Sequence, residues 1–492
     1  TPAWAKDLGP LAPFAAPLPG ILSLEAARVA MPPEPSGRVV RAQQFAADLI
    51  SLWDRSISPG TFSPPAAAAS SPGAELEVRE LESPQPGRRY EATQIAPVDV
   101  PVIRELDVLV VGGGTSGATA AAVAAREGVR TAVLEMNPGL GGTGTIAGVD
   151  SYWFGRQVGF AARVKDRVRE VHNSIGYDPG KSPDPKWNIE AKMFALLLEA
   201  DRAGAEIWFR TVVAGAIVER GNRIRGVVAA TPHGLRAVLA RVVVDASGDG
   251  DVAAFAGAEF VSQSAMDHIG MWHNFAQFVR PGRNTNHFTS SVDIANIEDC
   301  NRAILAGRRR GQSCHDHGIY LAPRETRHIV GDVVLTMTDL LRHRGWPDVI
   351  GIHYGNSDMK GKSTSQWLFA GLIPPNLEGE ICYRMVLPKG LEDILIAGKA
   401  FSATHDASAG VRFQADLENL GGALALAAAK AVKENRAPRD IDVGELQRRL
   451  VSEGVLPKSI LTRKLQPNRY SHRRLRELVA AMLADQPLLS YQ

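Results

Sequence analysis

The chain has 492 residues, 45% of them hydrophobic and 22% charged, with a formal net charge of +2. That length is too great for one hydrophobic core and implies two or three domains. The near-balanced charge argues against nucleic acid or an anionic membrane surface as partner, and no apolar run approaches the ~18 to 20 residues of a bilayer span.

The three cysteines, Cys300, Cys314 and Cys382, form no CxxC pair and no metal-ligand spacing. They read as thiols of a reduced compartment, so a soluble, cytoplasmic protein is expected. Residue 1 is Thr, which leaves open what precedes it, a removed export signal included.

The first hundred residues hold 15 of the 31 prolines, with Ser63-Pro-Pro-Ala-Ala-Ala-Ala-Ser-Ser-Pro-Gly73 among them. Such a segment cannot sustain long regular structure, and 1–103 is expected to be an extended arm or linker. One helix is expected within it, Arg38 to Asp54, where Val39, Val40, Phe45, Leu49, Ile50 and Trp53 fall at helical spacing. Arms of this kind wrap another surface, so a homo-oligomer or a partner subunit is the expected association.

Next comes Asp107-Val-Leu-Val-Val-Gly-Gly-Gly-Thr-Ser-Gly-Ala-Thr-Ala120, then Thr131-Ala-Val-Leu-Glu135. The order is buried strand, glycine turn, helix of small residues, and second strand ending in a carboxylate. A nucleotide-binding βαβ unit requires that order. Gly112 permits the tight turn, Gly114 clears the place where a pyrophosphate touches backbone, and Gly117 lets the helix pack on the sheet. The helix N-terminus aims free N–H groups at the phosphates. Glu135, 18 residues beyond Gly117, falls where an acid accepts from a ribose diol. A 2′-phosphate is thereby disfavoured; NAD and FAD both remain open from this unit.

A helix is expected from Asn188 to Ala203. Strands are expected at Glu206–Arg210 and Val212–Val218, and after a turn at Gly221-Asn222 another at Ile224–Ala230, giving a small β-meander. Arg241-Val-Val-Val-Asp-Ala-Ser-Gly-Asp-Gly250 repeats the strand-to-glycine-turn pattern, and Asp393-Ile-Leu-Ile-Ala-Gly398 gives a last buried strand far downstream. Between Ala258 and Leu391 the pattern is less regular and richer in His, Arg, Trp and Tyr. The expected fold is α/β: a Rossmann-like dinucleotide-binding domain of parallel sheet plus β-meander, with an inserted α+β substrate domain. The first would be discontinuous over 104–157, 186–257 and 391–436, the second would take 158–185 and 258–390, and 437–492 would be a charged helical tail.

This layout resembles the FAD-dependent oxidoreductases of the glutathione-reductase-like superfamily, and within it the broad group of that general name. The likeness covers roughly Leu106 to Leu450. It rests on the dinucleotide motif with Leu140-Gly-Gly-Thr-Gly-Thr145, on Val243-Val-Asp-Ala-Ser-Gly-Asp-Gly-Asp-Val252, and on Pro323-Arg-Glu-Thr-Arg-His-Ile-Val-Gly-Asp332. Tyr383-Arg-Met-Val-Leu-Pro-Lys-Gly390 and Leu395-Ile-Ala-Gly-Lys-Ala-Phe-Ser-Ala-Thr-His-Asp406 complete it. The resemblance implies FAD as cofactor. It implies a site built from Gly112, Gly114, Thr115, Ser116, Gly117, Glu135 and Met136, then Gly141, Gly142, Thr143, Val213, Ala246, Ser247, Gly248 and Gly398. Relatives open the next helix with a Gly-Gln-Ala-Ala-Gly-like run; here Asn419-Leu-Gly-Gly-Ala423 stands instead, so Leu420, Gly421 and Gly422 would bring a helix N-terminus to the flavin's pyrimidine edge. Likeness to the fumarate-reductase branch is at the level of fold, so a dicarboxylate substrate is not implied. A covalent flavin link through His or Cys stays open.

The implied activity is oxidation or reduction of a small organic molecule by hydride transfer at the flavin. The alternatives are an NAD-dependent dehydrogenase, and a flavin-bearing subunit for assembly or electron relay; the lack of a cysteine cluster argues against relay within the chain. For proton transfer, His353, in a Gly-containing loop with Tyr354, and His405, after the last flavin-domain strand, are the candidates. Arg384 and Arg412 could hold an anionic or carbonyl substrate, or the flavin. Arg324, Glu325 and Arg327 read as a packing network, and Asp249 and Asp251 as helix caps. His268, Trp272, His273 and His287 are candidates for a substrate cavity. No metal site is expected.

Overall fold

The computed structural model describes residues 76–79, 99–179, 186–262, 273–280, 283–289, 292, 297–311, 314–318, 320–358, 373, 376–465 and 476. The chain divides into two units, Thr1–Ser63 and Pro64–Gln492, and every described residue belongs to the second. The helix expected at Arg38–Asp54 lies outside the described residues.

The described chain opens with β1 (Leu76–Arg79) and β2 (Val102–Val111), followed by α1 (Thr115–Arg126) and β3 (Thr131–Glu135). Then come α2 (Gly159–Ile175), α3 (Ile189–Ala203) and β4 (Glu206–Phe209). Asn188 caps α3 by accepting from Ala191 N at 2.7 Å. The meander is β5 (Val212–Glu219), β6 (Arg223–Thr231) and β7 (Gly234–Asp245), and α4 (Asp251–Phe255) follows.

Strand β7 joins two kinds of sheet. Its first half pairs antiparallel with β6, and its length from Ala237 to Asp245 runs parallel to β2. Beyond β2 lie β3 and then β4, all parallel. Val108–Val111, Ala132–Leu134 and Val242–Val244 are buried on both faces, which is why these strands read as continuous apolar runs. The stretch expected to be only an arm contributes a strand of its own: β1 pairs antiparallel with β5 at the meander's edge.

The following strands form smaller antiparallel sheets. β8 (Phe260–Ser262) pairs with β13 (Arg327–Ile329). β9 (His273–Arg280) pairs with β10 (Arg283–Thr289), β11 (Asp316–His317) and β12 (Ala322–Pro323), with α5 (Ile297–Arg310) in the connection. After α6 (Met337–Leu341), β14 (Val349–Gly355) pairs with β15 (Leu377–Cys382). The chain then re-enters the main sheet: β16 (Ile394–Ile396) lies parallel to β7 at Val243–Asp245. The parallel order is thus β16-β7-β2-β3-β4, and the fold is mixed α/β around that sheet.

Three helices close the described chain: α7 (His405–Val411), α8 (Gln414–Glu434) and α9 (Val443–Ser452). Every residue of α8 from Gln414 to Ala429 is buried: the stretch from Leu420 is apolar all round, as a helix at the centre of a core must be, and the polar residues precede it. It packs on α1 so closely that a Cβ on Gly421 would overlap the Ser116 carbonyl. No described helix is long and apolar enough to cross a membrane.

Candidate functional site

A cleft of about 1160 Å³, partly continuous with solvent, runs across the ends of the parallel strands, where ligands settle in open α/β sheets. Strand order sets its direction. Glu135, Met136 and Thr211–Val213 wall the β3–β4 side; Gly112, Gly114–Ser116 and Ala246–Gly248 wall the middle; Gly398 and Lys399 wall the β16 side. Gly142 and Thr143 also line it, and Tyr320, Ala322–Arg324, Arg412, Gln414 and Leu417 complete the wall.

The middle is made by main chain. Gly112 has φ +92° and donates to Leu134 O at 2.7 Å, and a Cβ on it would run into the Ala246 carbonyl. A Cβ on Gly117 would overlap the Gly112 carbonyl oxygen, so α1 can start this close to the turn only with glycine there. Gly114 is different: no protein atom lies within 4 Å of where its Cβ would be. The first turn of α1 carries neither a side-chain cap nor an acidic residue. Its unbonded N–H groups and positive helix end are therefore left to a ligand.

Glu135 is 5% exposed, and its carboxylate accepts from Gly113 N at 2.7 Å and from Asn137 N and Nδ2 at 2.8 and 2.7 Å. Burial raises its pKa and these donors oppose the rise. At the other end α8 also starts without a side-chain cap. Gln414 Nε2 donates to Val149 O at 3.1 Å and Ser151 O at 3.3 Å, while its Oε1 is buried without a partner. Such an oxygen costs stability unless a ligand N–H meets it. Asp416, in the same turn, faces away: it accepts from Arg156 N and Tyr354 N at 2.7 and 2.9 Å, and burial pushes it up to about 7. Next to Gln414, Lys192 and Glu418 form a fully buried pair at 3.0 Å. Tyr152 Oη donates to the same carboxylate at 2.6 Å. Burial pushes Lys192 down and Glu418 up, and each partner resists the other's shift.

The cleft gathers thirteen of the expected cofactor residues: Gly112, Gly114, Thr115, Ser116, Glu135, Met136, Gly142, Thr143, Val213, Ala246, Ser247, Gly248 and Gly398. Gly117 and Gly141 stand behind its wall; Gly141 N donates to Gly113 O at 2.8 Å. Leu420, Gly421 and Gly422 require correction. α8 begins at Gln414, so Asn419–Ala423 lies inside the helix and not at its N-terminus. Gly421 packs on Ser116 and Gly422 on the Phe160 ring, close packing that admits no ligand. Gln414 and Leu417 hold the N-terminal position instead. The spacing of Leu417, Leu420 and Leu424 is the sequence signal that places the helix start earlier.

The expected catalytic residues do not meet in the cleft. His353 lies on β14 rather than in a loop, 1% exposed, with Nδ1 on Val411 O at 2.6 Å. Burial lowers it to about 4, against the pull of the Val411 carbonyl. It is a core histidine held neutral. Tyr354, beside it on the strand, donates to Asn376 Oδ1 at 3.1 Å. Arg384 makes a two-pronged pair with Asp348, both contacts at 2.9 Å, and its side chain is 44% exposed. His405 opens α7 after Thr404, and its Nδ1 meets Glu325 Oε2 at 2.7 Å; Glu325 also meets His328 Nε2 at 2.8 Å. Burial raises Glu325, but the hydrogen bonds from His328 and His405 prevail and hold it at about 2.

Asp249 and Asp251 are not caps. Ser247 Oγ accepts from Asp251 N at 2.9 Å and the buried Asp245 accepts from Ala253 N at 3.0 Å, which satisfies the start of α4. Asp249 instead pairs with Lys399 at 2.5 Å and Asp251 with Arg327 at 2.7 Å. Arg324 departs from the packing-network reading by lining the cleft. His273 and His287 are buried on β9 and β10 and do not line it; His268 and Trp272 lie outside the described residues. Among the described residues no cluster of His, Cys, Asp and Glu could hold a metal.

The cleft fits an extended dinucleotide. A bare glycine edge meets two uncapped helix starts, with a carboxylate at one end and an unpartnered amide oxygen at the other. The family model described as FAD dependent oxidoreductase matches residues 107–271 and 282–450. Among curated proteins, the digeranylgeranylglycerophospholipid reductase of Methanosphaerula palustris is 29% identical over 29% of this chain and 39% of its own length. A flavin-dependent halogenase of Armillaria mellea is 28% identical over 29% of this chain and 31% of its own. The chain thus spans less than two fifths of either relative. Among solved structures, a geranylgeranyl bacteriochlorophyll reductase-like protein from Thermoplasma acidophilum is 14% identical. It covers 78% of this chain and 97% of its own, with a TM-score of 0.36. Aklavinone-11 hydroxylase, in a ternary complex with FAD and aklavinone, is also 14% identical at a TM-score of 0.36, over 67% of this chain and 63% of its own. Neither structure is near enough to inform the chemistry of this chain.

Proposed function

The chain belongs to the FAD-dependent oxidoreductase family, and from that premise we propose that it oxidises or reduces a small organic substrate by hydride transfer at an FAD lying across this cleft. The observation that carries the reading is the single wall joining Glu135, the Gly112–Ser116 turn and the α8 start at Gln414 and Leu417. An adenine-bearing ribose belongs at Glu135, a pyrophosphate at the open end of α1, and the flavin ring toward Gln414. The isoalloxazine, when bound, supplies the two-electron chemistry.

The residues of the chain do the holding. Glu135 accepts from a ribose diol; the α1 amides hold phosphate; Gln414 Oε1 accepts a ring N–H, and the helix end behind it favours negative charge there. Among the described residues the wall carries no histidine, so His353, Tyr354 and Arg384 are assigned no contact with reactants. His405, which shares the Glu325 carboxylate with His328, is proposed to position the segment that carries Arg324. The test is direct. Purified protein should be yellow, with absorption near ~450 nm as for an oxidised flavin cofactor, and a true substrate should bleach it anaerobically. A colourless protein that binds nicotinamide dinucleotide would overturn the reading.

A further inference from the structure

We propose that Lys192 is a positioning residue of the flavin end: its ammonium is a fixed positive charge behind Gln414 that raises the reduction potential of an FAD bound in the cleft. The proposal rests on the flavin reading above and deepens it, because it names a group that sets the redox poise of the same site.

Lys192 comes from the first turn of α3, and Glu418 stands four residues beyond Gln414 on α8, so that Gln414 and Glu418 share a helix face. Both members of the pair are 1% exposed, with Nζ on Glu418 Oε1 at 3.0 Å. The other contacts are as close. Tyr152 Oη donates to Glu418 Oε2 at 2.6 Å, and Nζ lies 3.8 Å from the centre of the Trp187 ring and 4.8 Å from that of Tyr152. Trp187 is itself fixed by donating Nε1 to Gly144 O at 2.7 Å. A carboxylate and two ring faces thus hold the ammonium where water does not reach it.

Gly144 is the point at which this cage touches the cleft wall. A Cβ there would overlap Gln414 Oε1 and meet Lys192 Nζ at 3.1 Å, and both atoms lie nearer to it than any atom of Glu418. The pair therefore turns its positive end toward Gln414. That side chain lines the cleft, and its buried Oε1 has no partner among the described residues. A buried ion pair is a poor source of stability, because desolvation offsets most of its attraction and apolar side chains of similar volume pack as well. What it supplies is charge that water does not screen. Charge of this kind beside a flavin tunes its electronics, and the N-terminal end of α8 acts in the same sense.

The experiment uses the full chain with its flavin bound. Dithionite supplies two electrons per flavin anaerobically, and loss of the ~450 nm band of oxidised flavin is read against indicator dyes of known potential. Lys192→Met should shift the equilibrium about 10-fold toward the oxidised form, a fall of ~30 mV for a two-electron couple. Lys192→Arg, which keeps the charge, should stay nearer to wild type. The double variant Lys192→Met with Glu418→Met removes both charges and keeps an apolar core; its potential should also fall. An unchanged or raised potential in the double variant would overturn the proposal, as would Lys192→Arg shifted as far as Lys192→Met. Loss of the fold or of the flavin in the double variant would overturn it too, by making the pair a structural brace. A colourless wild type would overturn the flavin reading and this one with it, a failure distinct from a yellow protein whose potential ignores Lys192.

Discussion

At the Gly112–Gly117 turn the wall of the cleft is main chain, whereas around Arg324 and Arg412 it is side chains brought from distant segments. At Gly112 and Gly117 the first needs glycine, because a Cβ there would strike a carbonyl. The second needs a lattice of paired charges, Glu325 with two histidines, Asp249 with Lys399 and Asp251 with Arg327. A main-chain wall tolerates little substitution but is indifferent to pH. A charge-built wall is the converse, and the two should fail in different ways.

The largest effect is expected at the charged end. Glu325→Ala strips two buried imidazoles of their shared acceptor and should cost about 3 kcal/mol in unfolding free energy. A change within about 0.5 kcal/mol in chemical denaturation, the range of an ordinary surface substitution, would show that the lattice holds nothing. At the glycine end, Gly117→Ala forces α1 away from the Gly112 carbonyl and should cost about 1–3 kcal/mol with loss of bound flavin. Retention of flavin at the same thermal midpoint would contradict the close approach.

The pH response separates the two walls further. Glu325 is held at about 2, below its ordinary 4.5. Its contribution is whole above pH 4.5 and is lost as pH falls toward 2. His273 and His353 each sit at about 4, lowered chiefly by burial. Between pH ~6.5 and ~4 the unfolded chain binds protons that the folded one refuses, so stability should fall by about 1.4 kcal/mol per pH unit for each histidine. Denaturant titrations at about pH 7, 5.5 and 4.5 on wild type and His353→Phe test this; a variant with the wild-type slope would show that His353 contributes nothing to it. The smallest effect belongs to Arg384→Ala. Its pair with Asp348 is 44% exposed on the arginine side, worth about 0–1 kcal/mol, and neither flavin content nor turnover should change.

The same contrast explains what can be read from the residues alone. Local patterns suffice for the βαβ unit, the meander and the late strand Ile394–Ile396, because a glycine turn and an apolar run act over a few neighbouring residues. Met136, Val213 and Gly398 come into the cleft with the strand ends that carry them. The α8 start is misplaced from sequence because the double glycine at 421–422 imitates a phosphate-facing helix end, while Gln414 carries no motif and Leu417 only the leucine spacing of the helix. His353 looks like a loop residue because Gly351 and Gly355 flank it, yet β14–β15 pairing buries it. Arg324 and Arg412 come to the same cleft only through folding, and no spacing in the chain reports that.

The most direct measurement is on Gly114→Val. No protein atom lies within 4 Å of the site of its Cβ, so the side chain should enter only the space assigned to FAD. The expected product is an apoprotein with the unfolding midpoint of the flavin-stripped wild type and no absorption near ~450 nm, the band of oxidised flavin. A variant that purifies with the wild-type flavin content would contradict the placement of the cofactor across this cleft.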